Sequence, residues 1–161
     1  MRTGRAIVFG ALGAAAISVL SVGLRAAGLP IRLELLLGTL TGLPPGTPTF
    51  AFGLLIHLAL GGLFGLLYAW LFERVWSHGG AATGAILAIL HAALIGMAVG
   101  LTPQFHPLVP EQLHDPGPYF ANAGVAGVVA FFAIHVLYGA VVGAGYGHVI
   151  AEREWAPTGR V

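Results

Sequence analysis

Four stretches of this chain, residues 6–24, 50–72, 81–101 and 120–150, contain no Asp, Glu, Lys or Arg. At about 1.5 Å of rise per residue, roughly 20 apolar residues cross the hydrocarbon core of a bilayer as a helix. In lipid the backbone amides must be paired within their own segment, so such runs are helical. Only 8% of the residues are charged and 57% are hydrophobic, where a soluble domain needs about 25% charged residues to keep its surface wet. The solvent is therefore a lipid bilayer, and the expected fold class is all-α: a polytopic membrane protein with a four-transmembrane-helix bundle. Net charge is +1, too little for a nucleic-acid partner. Cysteine is absent, which excludes disulfides, thiolate metal sites and cysteine nucleophiles.

Arg2 and Arg5 precede the first span and Arg25 ends it. A signal peptide begins in the same way, but this apolar run is longer than the usual signal core and reads as a retained helix. A connector with Pro30, Pro44, Pro45 and Pro48 follows. Its apolar segment, residues 31–40, reads either as an interfacial helix whose Arg32 and Glu34 face headgroups or as a hydrophobic loop packed on the bundle. Tyr68, Trp70 and Phe72 close the second span as an interfacial belt. Residues 75–80 form a tight connection that returns the third helix beside the second. The connector 102–119, with Pro103, Pro107, Pro110, Pro116 and Pro118, is the most polar part of the chain. The fourth span exceeds a bilayer's need and should tilt or project. Residues 156–161 read as a frayed tail.

One pattern occurs twice. His57, Gly61, Gly65 and Tyr68, and again His135, Gly139, Gly143 and Tyr146, both read H-x3-G-x3-G-x2-Y, 78 positions apart. Each copy lies on one helix face. The chain thus reads as two tandem helical hairpins, residues 1–78 and 79–161, forming one membrane domain related by a pseudo-two-fold axis along the membrane normal. Arg2, Arg5, Arg74, Arg153 and Arg160 fall on the side of the termini and Arg25 and Arg32 on the other. An excess of arginine marks the cytoplasmic face, so both termini are expected there, in a cytoplasmic (inner) membrane.

Small residues recur at every fourth position. Gly53, Gly61 and Gly65, then Gly84, Gly96 and Gly100, then Gly127, Gly139, Gly143 and Gly147, are expected to be helix-packing surface, with Tyr68 and Tyr146 at the ends of the motif. Close backbone approach is what joins helices in lipid, where hydrophobic burial between them gains little.

Imidazoles in apolar spans need partners. His57 and His135 occupy equivalent positions, about 16 Å from their tyrosines at 1.5 Å per residue, and are expected to face each other. The bland reading is a neutral ring bonded across the bundle. The sharper one is axial ligation of haem b between helices. His106, Glu111, His114 and Asp115, in the second connector, could instead hold a divalent metal, with Glu111 and His114 on one face if Pro110 starts a helical turn. His91, on an antiparallel helix, is expected nearer the midplane and away from the other two; His148 is expected to snorkel at the cytoplasmic end. No carboxylate lies within a span, and no nucleophile–base or phosphate-loop pattern is present, so no catalytic residue is assigned.

The two H-x3-G-x3-G-x2-Y helices, each preceded by a Gly-rich span, resemble an uncharacterised family of small four-helix bacterial inner-membrane proteins. The resemblance covers most of the chain and implies a four-helix bundle, with no activity to carry over; the connector 102–119 looks like an elaboration particular to this chain. The expected function is a non-enzymatic structural or accessory component of a bacterial membrane complex, with other membrane subunits or a second copy of itself as partners. The alternatives are a histidine-ligated haem or metal protein for electron transfer, and a small-solute transporter.

Overall fold

The computed structural model describes residues 1–155, with side chains in its last helix as far as residue 147. The expected frayed tail, residues 156–161, lies outside the described residues, and so does the side chain of His148. The helices are α1 (Thr3–Ala26), α2 (Leu33–Gly38), α3 (Thr47–Arg74), α4 (Ala81–Gly100), α5 (Thr102–Phe105) and α6 (Gly124–Trp155). Four helical segments are long and apolar enough to cross a membrane: α1, α3, α4, and α6 together with the short 3-10 segment Pro118–Ala123 that leads into it. The described residues contain no strand. The chain is an all-helical, multi-pass membrane bundle.

Local sequence sets the boundaries. Pro48 sits in the first turn of α3, where a missing N–H costs nothing, and the Gly46 N–H donates to Thr49 Oγ1 at 2.9 Å to close that turn. The proline-dense connector therefore starts a helix. The fourth span begins at Pro118, close to where it was expected, but not as an α-helix. Tyr119 and Phe120 have φ of 56° and 60°, a left-handed conformation that α-helices do not use, so residues 118–123 form a 3-10 segment and α6 starts at Gly124, itself at φ 78°.

Helix packing is backbone on backbone. A Cβ at Gly61 would meet Ala14 and the Gly10 carbonyl, and one at Gly65 would overlap the Ala6 carbonyl, so α1 and α3 touch along their glycines. In the other half, Gly139 meets Gly84 and Ala88, and Gly143 meets Gly80 and Gly84. Gly147 abuts Gly79 and Gly80, Gly96 abuts the Tyr119 ring, Gly100 abuts Pro118, and Gly127 abuts the Phe120 carbonyl. Tyr68 and Phe72, expected at the interface, are buried at 1% and 0%; of that trio only Trp70 is exposed. Their rings meet edge-on on the α3 face turned toward the bundle, where Tyr68 also meets Tyr138.

The segment between α1 and α3 is neither of the pictures expected for it. The short α2 packs on α3, with Gly38 against Thr49 and Gly53 against the Glu34 carbonyl. Arg32 is exposed, but Glu34 is wholly buried. Its Oε2 lies 3.1 Å from Arg25 Nη1, and that pairing turns the carboxylate inward instead of toward headgroups.

The order of packed helices is α3, α1, α6, α4. Although a tight connection joins α3 to α4, α4 packs on α6 rather than beside α3. The glycine face of α3 is taken by α1 and that of α4 by α6, and the aromatic rings of Phe64, Tyr68 and His91 stand between the two outer backbones.

Candidate functional site

Where α3 and α4 stand apart, a cavity of about 260 Å³ opens at the half of the bundle that carries the two connectors. Leu60 and Phe64 of α3, Ile95 and Val99 of α4 and Leu36 of α2 make it apolar, and four imidazoles, His57, His91, His106 and His135, reach its wall together with Tyr138.

Each intramembrane ring is anchored through Nδ1. His57 Nδ1 lies 3.0 Å from Ser18 Oγ of α1, and His91 Nδ1 lies 3.2 Å from the Tyr68 hydroxyl of α3. His135 Nδ1 lies 2.7 Å from the Phe131 carbonyl one turn back. A carbonyl only accepts, so His135 carries its proton on Nδ1 and presents Nε2 as a lone pair. Among the described residues no hydrogen bond holds the Nε2 atom of any of the three, and all three rings line the cavity. The chamber wall is thus hydrocarbon bearing three imidazole edges.

His57 and His135 line one chamber, but the ring that meets His135 is His91, edge-on at 5.4 Å between centroids. His91 also lies on Phe64 at 4.2 Å and beside Tyr138 at 5.6 Å. The expectation that His91 stands apart is overturned. Forward along α4 is backward along α6: Gly139 packs against Gly84 and Ala88, His91 lies three residues beyond Ala88 and His135 four before Gly139, so the two rings share a level. That register, available once the glycines are paired, was the missing signal. Tyr138, also unassigned from the sequence, donates its hydroxyl to the Gly61 carbonyl at 2.6 Å.

The two motif copies use their histidines differently. Ser18, four residues past Ala14, takes His57; the matching position of α4, four past Ala88, is Ala92, which has no hydroxyl. His135 turns to its own helix instead. The motif tyrosines diverge as well, for Tyr146 donates to Glu73 Oε1 at 2.6 Å and accepts the Arg2 N–H at 2.9 Å. The other Glu73 oxygen binds the N-terminal ammonium at 3.0 Å.

The connector residues do not assemble a metal site. His106 Nε2 donates to the Leu36 carbonyl at 2.9 Å and its Nδ1 accepts the Leu108 N–H at 3.2 Å, so both ring nitrogens are spent on clamping the connector to α2. Glu111 and His114 are exposed, and Asp115 Oδ1 accepts the Gly117 N–H at 2.9 Å. Pro110 lies in a run of turns, not at the start of a helix, so Glu111 and His114 share no helical face. Among the described residues no three His, Asp or Glu side chains converge as ligands. An apolar cavity of about 150 Å³ takes one benzene ring, so the chamber takes a group of about two rings.

Compared with models of known protein families, with curated proteins and with solved structures, the chain gives no match.

Proposed function

We propose that this chain is an accessory component of a bacterial cytoplasmic membrane that holds a small, mostly apolar molecule with a hydrogen-bonding edge in its imidazole-lined chamber. One observation carries the reading: three imidazoles are fixed through Nδ1 by protein, bear no hydrogen bond at Nε2 and line one apolar cavity. Polar groups aimed into a hydrocarbon cavity are costly without a partner, and a few fixed donors or acceptors in an apolar wall are how such cavities orient a ligand. The ligand comes from the bilayer through the seam between α3 and α4. The alike glycine contacts of the two halves support descent from a duplicated hairpin, and the arginine bias supports cytoplasmic termini. Exposed apolar helix faces leave room for other subunits or a second copy of the chain.

The test is solvent extraction of the detergent-purified protein followed by mass spectrometry, with Ala98→Trp as comparison because Ala98 is exposed at the rim of the chamber. A species present in the wild-type protein at near-equal amount and missing from the folded variant is the expected result. Identical extracts from the two would remove the reading, and a haem spectrum in the wild-type protein would replace it with electron transfer.

A further inference from the structure

Arg25 and Arg32 line a second cavity, about 410 Å³ in volume, that shares no wall residue with the imidazole chamber. Thr47 adds a hydroxyl-bearing residue to its wall, and Leu35, Pro45 and Phe50 make the rest largely apolar. No Asp or Glu lines it. The ends of two spans fix its depth. Arg25 is the last residue but one of α1 and Thr47 the first of α3, so the cavity stands where the apolar helices leave hydrocarbon for the headgroup layer. Val22 and Val19, three and six residues before Arg25 on α1, are exposed at 55% and 72%. They continue the Arg25 face into the span and give acyl chains an apolar surface below the cavity.

The two guanidinium groups are held differently. Arg25 Nη1 donates to Glu34 Oε2 at 3.1 Å and to the Ile31 carbonyl at 2.9 Å, and its Cζ stands 5.6 Å from the centre of the Phe50 ring. Those contacts fix the group and leave the N–H donors of Nε and Nη2 without a protein acceptor among the described residues. Arg32 is exposed and forms no ion pair or side-chain hydrogen bond among the described residues. In charge, Arg25 and Glu34 cancel. One positive charge remains at the cavity, and the ligand that matches it is a monoanion with several acceptor oxygens. Guanidinium suits phosphate because its N–H groups pair with two oxygens at once, and basic hollows between membrane helices near the surface are where lipid headgroups are recognised.

We propose that Arg25 and Arg32 bind the phosphodiester of a phospholipid in this cavity. Arg25 is the pre-positioned donor, and Arg32 supplies the charge that the phosphodiester neutralises. The volume exceeds what a phosphate group fills, which leaves room for glycerol carbons against Leu35 and Phe50. Free phosphate has the same oxygens but no tail to reach the exposed valines. A lipid held here ties the end of α1 to the starts of α2 and α3, and it does so whether or not the imidazole chamber is filled.

The test is the thermal midpoint of the full chain in dodecyl maltoside micelles, stripped of lipid and then supplied with dioleoyl phosphatidylglycerol, dioleoylglycerol or inorganic phosphate. The wild-type protein should rise by about 4 °C with phosphatidylglycerol and stay in place with dioleoylglycerol, which has the same tails and no phosphate. Arg32→Gln, which strands no partner, should lose most of that rise. Arg74→Gln removes the same charge at the other end of α3 and should keep it. No rise in the wild-type protein overturns the proposal, and so does an equal rise in Arg32→Gln or with dioleoylglycerol. A rise with inorganic phosphate as large as that with the lipid overturns the lipid and makes the ligand a free anion.

Discussion

At the scale of single residues, the bundle is fixed by a few side chains that reach from one helix to the backbone of another. Tyr138 is the clearest, with its hydroxyl on the Gly61 carbonyl and its ring against Tyr68 and His91. Tyr138→Phe keeps the ring and removes that bond, so it should cost about 1–2 kcal/mol, read as a lowered thermal midpoint in detergent. His106 works in the same way on the connector, and His106→Phe should make residues 102–123 cleavable by protease while the four spans stay intact. Sequence alone marked His57 and His135 as a pair of interest and could not place them. The partner of His135 depends on how far α4 slides along α6, a quantity that hydropathy does not contain. Glu34 was misplaced for a related reason: a carboxylate in a connector reads as water-facing until Arg25, nine residues earlier, is seen to hold it inside.

At the scale of elements, the helices are held by glycine where soluble bundles use leucine. Gly61→Leu or Gly139→Leu puts a branched side chain where a Cβ alone already meets a neighbouring backbone carbonyl. Either should lower the thermal midpoint far more than Leu66→Ala, which trims a partly buried side chain at the edge of the core; equal losses would count against backbone-on-backbone packing. Gly53→Val should act more locally, by prising α2 from α3 and exposing Glu34. The helices themselves were legible because length and apolarity fix a membrane span almost by themselves: α1, α3 and α4 end within three residues of the uncharged runs. The start of α6 was not, since a left-handed turn at Tyr119 and Phe120 leaves no mark in hydropathy. The neighbours of α4 were misread because a short loop constrains where a helix begins but not which glycine face it finds.

At the scale of the whole molecule, two hairpins meet mainly through α1 and α6, at contacts such as Gly13 on Tyr138 and Gly145 on Phe9. This interface does not depend on the loop between α3 and α4. Expressed together as separate chains broken between Trp76 and Ser77, the two halves should assemble and co-purify; failure to do so, with each half inserted in the membrane, would show that the loop carries the assembly. The remaining boundary, between α3 and α4, is bridged by the rings of Phe64, Tyr68 and His91. Packed backbones part only by collective motions of microseconds to milliseconds, whereas side-chain rotation is far faster. On the proposed reading, a molecule passing between lipid and chamber need only turn aromatic rings on their own bonds, and the bundle exchanges its contents without loosening its glycine joints.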